Sequence, residues 1–465
     1  MSYWCGTIRA AVTSSGEAIS DEKWPPRPID KVTGDETIGL RRIPTVRALL
    51  QIRRRLVILS GIALLSFVGT RAALSGPRQE LKPAQNIPVA SLPFEYFRQH
   101  IFVTVQINDS GSHVCMVDNG FNFDAMTEHA ARAMGIQSHA AGGKTPDAKG
   151  LGEGFGPEIF VTDSTVVIGV EGSPLLAGHT MVLDTAQIEK LLSHPFDCVI
   201  GAPLFALFVV EIDFAKRQLT VYDRHAFVYH GRGHTVPLKV GVPATVEAEV
   251  LNADGRKVKA TVALDLGSDQ AFEFAPSFQS KHHILQAQQP KVPISATGLA
   301  GEFQESMVRL PSADFAGFKI EKPLAVFLDT APDPGLASRK DDGFVGNALL
   351  ERFSLIFDYS GHRLMLEPNA SFSDPFTANM TGIGADPSSD AARGFEVISV
   401  ADKSVAAIAG LKAGDRIVEI NGALCSTLTF ESFHQMLTAE GAPFNLKVER
   451  GDQRIDINFQ TPRLP

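Results

Sequence analysis

The chain can be laid on itself. Residues 196–223 (FDCVIGAPLFALFVVEIDFAKRQLTVYD) match residues 341–368 (DDGFVGNALLERFSLIFDYSGHRLMLEP) without a gap. Gly201 falls on Gly346, Leu204 on Leu349, Phe208 on Phe353 and Asp213 on Asp358, each pair 145 residues apart. Upstream, VLDT (Val182 to Thr185) meets FLDT (Phe327 to Thr330) at the same offset of 145, and GLGEGF (Gly150 to Phe155) meets GLAGEF (Gly298 to Phe303) at 148. VCMVDNG (Val114 to Gly120) meets TVALDLG (Thr261 to Gly267), which sets Asp118 against Asp265 at 147. Four ordered matches at a nearly constant offset call for two copies of one fold.

Each copy consists of short alternating stretches. IFVTVQI (Ile101 to Ile107) and ATVEAEVL (Ala244 to Leu251) open the copies, and LTVYD and LMLEP close them. Gly and Asp turns at this density predict all-β, barrel-like lobes. Forty glycines and 28 prolines in 465 residues fit short strands better than long helices. Because each copy carries one matching Asp, a pseudo-two-fold assembly brings Asp118 and Asp265 together between the lobes.

D-x-G alone is a weak motif, since Asp109, Asp333 and Asp341 also begin one. Asp118 and Asp265 stand apart because each ends an apolar strand and each is followed by a Gly-rich hairpin and then Φ-Φ-Gly-x-x-Leu (VIGAPL, FVGNAL). With these landmarks, residues 95–370 resemble the pepsin/retropepsin aspartic proteases, specifically bacterial two-lobed relatives that carry a PDZ domain. The resemblance implies a catalytic pair Asp118 and Asp265, with active-site loops Asn119, Gly120, Leu266, Gly267 and Ser268. It also implies a flap bearing Gly152, Gly154 and Phe155. Two carboxyls about 3 Å apart cannot both ionise, so one keeps its proton and the pair can activate a water without metal or cofactor. The sequence departs from the family where Asn119 and Leu266 replace the usual Thr or Ser, and where bulky Phe121 follows Gly120. Those departures leave two readings: an aspartic endopeptidase, or a catalytically weak or inactive peptide-binding scaffold.

Other chemistries lack their motifs. No H-E-x-x-H, G-x-S-x-G or G-x-x-x-x-G-K-[ST] occurs. The net charge of −9, with no basic block beyond the N-terminal region, argues against a nucleic-acid partner. Cys5, Cys115, Cys198 and Cys425 form no metal-ligand spacing, so no metal is expected. Four buried thiols, or a disulfide between Cys115 and Cys198, both fit the sequence. Asp213 and Asp358 repeat as well, but at strand-to-turn positions that predict a hairpin role.

Residues 41–55 hold six arginines and no acid, and Leu56 to Thr70 are uncharged and apolar. As a helix those 15 residues span about 22 Å, which suits a signal-peptide core or a short signal anchor. The Arg excess predicts export of the rest of the chain to the periplasm or cell envelope, with the membrane as a partner of this segment.

At the other end, Arg393 to Leu437 resembles a PDZ domain of the bacterial protease-associated type, with AGLKAGDRIVEING (Ala409 to Gly422) as its most recognisable stretch. The resemblance implies a carboxylate-binding loop and strand at Gly394, Phe395, Glu396 and Val397, where peptide C-termini would bind. Apolar Phe430, Phe433 and Leu437, at i, i+3 and i+7, predict a helix lining that groove. The expected organisation is mainly β: a tail (1–55), a signal segment (56–74), a linker (75–95), lobe 1 (96–230), lobe 2 (231–370) and an α+β PDZ domain (378–462). Its expected substrate is a polypeptide.

Overall fold

The computed structural model describes residues 2–3, 86–140, 160–185, 189, 192, 194–241, 243–286, 288–298, 301–328, 341–387 and 394–465. The Arg-rich stretch, the apolar segment and the flap residues Gly152, Gly154 and Phe155 lie outside the described residues. Among the described residues no helix is long and apolar enough to cross a membrane.

The described chain is mainly β. Its strands follow the period-2 rule: in Pro443–Arg450 the residues Phe444, Leu446 and Val448 are buried while their neighbours face outward. In the first half, strand Ser112–Val117 runs parallel to Cys198–Ile200, with Val117 opposite Ile200. Strand Ala125–Thr127 lies antiparallel to Cys198–Ile200 and parallel to Met181–Leu183. The second half repeats these pairings. Lys257–Leu264 runs parallel to Gly343–Val345, with Leu264 opposite Val345, and Phe272–Phe274 lies antiparallel to Gly343–Val345 and parallel to Leu324–Leu328. The short helices Ala202–Leu207 and Asn347–Leu350 follow Gly201 and Gly346.

The halves meet in one continuous sheet. Phe208–Asp213 pairs antiparallel with Phe353–Asp358, and Val210 faces Phe357, Glu211 faces Ile356 and Ile212 faces Leu355. At the 145-residue offset Glu211 is the counterpart of Ile356. Exchanging the halves therefore maps this junction onto itself, as an isologous contact requires. Gln218–Asp223 and Arg363–Pro368 flank it. Pro88–Phe97 adds to one side, so residues 88–95, expected as linker, are part of the sheet. Their alternation was masked by two prolines; Pro88 and Pro93 stay compatible with a strand while Leu92 and Phe94 are buried. One apolar core runs through both halves, including Phe205, Leu266, Phe353 and Phe357.

Residues 383–460 form a separate sheet in the order Ile383–Pro387, Phe395–Val400, Arg416–Ile420, Pro443–Arg450, Gln453–Gln460. Helix Phe430–Met436, capped by Thr429, packs on it through Phe433, whose ring stacks 4.0 Å from that of Phe395.

Candidate functional site

Each repeated Asp is delivered by the same local architecture. An apolar strand ends at the Asp, whose N–H donates to the strand beside it: Asp118 to the Ile200 carbonyl and Asp265 to the Val345 carbonyl, both at 3.0 Å. The loop then turns back. Gly120 N–H donates to Asp118 Oδ1 at 2.8 Å, and Gly267 N–H donates to Asp265 Oδ1 at 2.9 Å. Each carboxylate is thus held by its own loop backbone, so its orientation does not rely on solvent.

The two carboxyls are buried and lie close to each other between the two halves. The glycines permit this approach. A Cβ on Gly120 would stand 2.8 Å from Asp265 Oδ1, and one on Gly267 would stand 2.5 Å from Asp118 Oδ2. Burial, and after it the neighbouring Asp265 charge, push the Asp118 carboxyl well above the usual carboxylate range, against the pull of the Gly120 N–H. One proton shared by the pair is the arrangement these forces favour.

The residues that depart from the expected pattern are accommodated. Asn119 reaches across to the second half with both ends of its amide: Oδ1 accepts from Leu266 N–H at 2.9 Å, and Nδ2 donates to the Leu264 carbonyl at 3.1 Å. It makes a two-point clasp where a hydroxyl offers a single atom. Leu266 has no polar group to return the contact, and its side chain joins the core. Asn347 compensates, donating Nδ2 to the Leu266 carbonyl at 2.7 Å. Phe121 is fully buried among Phe102, Met116, Met181, Leu192, Phe196 and Val199, a satellite core that takes its bulk. Ser268 Oγ accepts from Gln270 N–H at 3.3 Å, a bond within the loop.

Three participants carried no motif. His100, fully buried, sets Nε2 3.2 Å from the Gly267 carbonyl and Nδ1 2.6 Å from the Arg98 carbonyl. Burial lowers its pKa. Asn347 sits in FVGNAL, inside the repeat, where only the Gly and Leu recur. Asp124 accepts from Gly201 N–H at 2.9 Å, and burial raises its pKa to about 6. For Asn347 the one available signal was its place directly after a repeated Gly; His100 and Asp124 had none.

Cys115 and Cys198 lie opposite each other on parallel strands, Cα atoms 4.5 Å apart, and form a disulfide across a separation of 83 residues. Asp213 and Asp358 serve as turn anchors. Asp213 accepts from Lys216 N–H and Nζ, and Asp358 from Ser360 Oγ, Gly361 N–H and Arg363 Nε.

In the C-terminal sheet, Gly394, Phe395, Glu396 and Val397 stand in the interior, not at an edge. Phe395 and Glu396 pair with Pro387 and Asp386 on one side and with Ile417 and Arg416 on the other. Val397 pairs with Ala385, and it exchanges backbone hydrogen bonds with the loop before Arg416–Ile420. A peptide cannot add there. Gly394 is required by close packing, since a Cβ would meet the Ile417 carbonyl at 2.2 Å. One outer strand is Ile383–Pro387, which follows Gly382 and lies inside the domain expected at 378–462.

The PDZ domain family profile matches residues 396–450, and this part of the chain is a PDZ domain. A search of curated proteins gives no match to the chain.

Proposed function

We propose that the chain is an aspartic endopeptidase of the pepsin/retropepsin type, with two lobes related by a pseudo-two-fold axis and a PDZ domain that receives peptide C-termini. The observation that supports this reading is the close approach of the buried carboxyls of Asp118 and Asp265, each tied to its own loop glycine. In the singly protonated pair, the ionised carboxylate takes a proton from a water. The water oxygen attacks the scissile carbonyl carbon, while the protonated carboxyl gives its proton to the carbonyl oxygen. Collapse of the tetrahedral species breaks the C–N bond, and the proton taken from water passes to the leaving nitrogen. Neither metal nor covalent enzyme intermediate enters the balance. The raised Asp118 pKa extends the singly protonated form upward in pH, so activity should extend from acid toward neutral conditions. The substrates are exported polypeptides, on the strength of the Arg-rich and apolar N-terminal sequence.

The test is cleavage of reduced, unfolded casein between pH 3 and 7 by the wild type, Asp118→Asn and Asp265→Asn. Loss of at least about a thousandfold in both variants is expected, because the remaining carboxyl cannot act as acid and base at once. Equal cleavage by all three, or none by the wild type at any pH, would overturn the assignment. In the latter case binding of intact casein would point to the peptide-holding scaffold.

A further inference from the structure

The hairpin turn Arg98–Gln99 joins strands Pro88–Phe97 and His100–Ile107, with Phe97 paired to His100. A two-residue turn of this kind needs positive φ at both central positions, which Asn and Gly adopt most easily. Here Arg98 has φ 48° and Gln99 has φ 58°. Long side chains in that conformation are strained, and the surroundings must hold them there.

Both ends of the turn are held. On one side, the Arg98 guanidinium pairs with Asp386 of the outer PDZ strand at 3.0 Å and lies 4.3 Å from the ring centroid of Phe430, the first residue of the PDZ helix. It therefore bridges the space between the edge strand Ile383–Pro387 and the helix Phe430–Met436. PDZ domains take an extended peptide on a sheet edge, with side-chain pockets beside it. Ile383 and Ala385 of that edge belong to the PDZ domain's own core, while Asp386 is buried and pairs with Arg98. On the other side, the Arg98 carbonyl meets His100 Nδ1, and His100 Nε2 meets the Gly267 carbonyl. The Gln99 carbonyl accepts from Asn347 Nδ2 at 2.5 Å, and the same nitrogen donates to the Leu266 carbonyl. Leu266 and Gly267 form the loop that carries Asp265.

We propose that the turn Arg98–His100 is a two-ended strut: its Arg98 side chain occupies the PDZ groove while His100 and the Gln99 carbonyl brace the Asp265 loop, so a peptide C-terminus enters the groove only by releasing that brace. The inference rests on the aspartic-protease reading for its consequence, but not for its test. His100 and Arg98 are positioning residues, since neither touches the reacting atoms.

The experiment uses the full chain and a fluorescein-labelled decapeptide pool, randomised over its last four residues and ending in a free carboxylate. The amidated pool is the control. Binding is followed by anisotropy, and hydrogen exchange is followed in the segment 261–271. Arg98→Ala should bind the free-carboxylate pool about tenfold more tightly than wild type, as expected if the open groove is about a tenth populated. Arg98→Lys should fall between them, because an ammonium keeps the charge without the planar contact to Phe430. Peptide should speed exchange in 261–271 of the wild type, whereas in Arg98→Ala that segment should exchange fast already and respond little. Equal affinity of wild type and Arg98→Ala, no binding to either, or tighter binding with unchanged exchange would each overturn the strut. Since no readout requires cleavage, loss of the protease reading leaves this result standing.

Discussion

At the scale of single residues, the site depends on what stands beside the aspartates. Asn119 satisfies two buried backbone groups of the opposite half, Leu266 N–H and the Leu264 carbonyl. Asn119→Ala would leave both without that partner, at about 1–3 kcal/mol each. A loss of about 2–5 kcal/mol in urea denaturation is expected, and a change below about 0.5 kcal/mol would show that the clasp does not matter. Asp118 acts in the opposite sense. Its folded pKa lies above the unfolded value, so the folded state binds the proton more tightly. Its contribution to stability is therefore best in acid and is lost as pH rises from about 4 through the folded pKa. Asp118→Asn removes that penalty. It should melt higher than wild type at pH 7, by roughly 2–4 °C for each kcal/mol recovered, and should show no advantage at pH 3. A melting point at pH 7 equal to wild type would argue that the buried pair carries no electrostatic strain.

At the scale of elements, the repeated Φ-Φ-Gly-x-x-Leu has a steric cause. The Cβ of an alanine at 201 would lie 2.1 Å from the Phe123 carbonyl oxygen, and at 346 it would lie 2.5 Å from the Ser268 carbonyl oxygen. Both carbonyls belong to the loops that follow the aspartates. Gly201→Ala and Gly346→Ala should each cost about 3 kcal/mol or more, since backbone, not a flexible side chain, must yield. Wild-type urea midpoints for either would contradict this packing. The disulfide pins one of the two equivalent strand pairs; Val262 and Gly343 hold the matching places in the other half. Replacing Cys115 and Cys198 by Ala should cost about 2–5 kcal/mol, the range for long closed loops, measured against the oxidised wild type. This level of structure was largely legible in advance. Repeated glycines and aspartates survive because backbone geometry admits little else, so their spacing exposed the repeat and the aspartate pair. The PDZ edge was not legible. Gly394 to Val397 has the sequence of a strand after a glycine, but whether a strand lies inside a sheet or at its rim depends on neighbours the local sequence does not name. His100 and Asn347 escaped for a similar reason: their partners lie 167 and 81 residues away in the chain.

At the scale of the whole molecule, the PDZ domain is tied to the second half by a strap, residues 371–376, gripped by one arginine. Arg352 is almost fully buried and sends its guanidinium to the carbonyls of Ser371, Phe372, Asp374 and Pro375, with its centre 3.6 Å from the Phe376 ring centroid. Arg309 adds a second tie, donating to the Phe376 carbonyl at 3.3 Å and pairing with Glu440 of the PDZ domain. A buried cation with four carbonyl partners in the strap, and a fifth at Ala348, is expensive to remove, because the carbonyls keep their desolvation cost and lose their donor. A loop can continue only while such groups are satisfied, and an unsatisfied one opens to solvent. Arg352→Ala should therefore release the strap without unfolding either domain. Brief digestion with chymotrypsin should cut after Phe372 or Phe376 and liberate the C-terminal PDZ fragment, while the wild type resists. Arg352→Lys, which keeps one donor centre but not the planar fan of N–H groups, should be cut at an intermediate rate. A digestion pattern for Arg352→Ala indistinguishable from wild type would show that the strap is held by its own packing and that the arginine merely fills space beneath it.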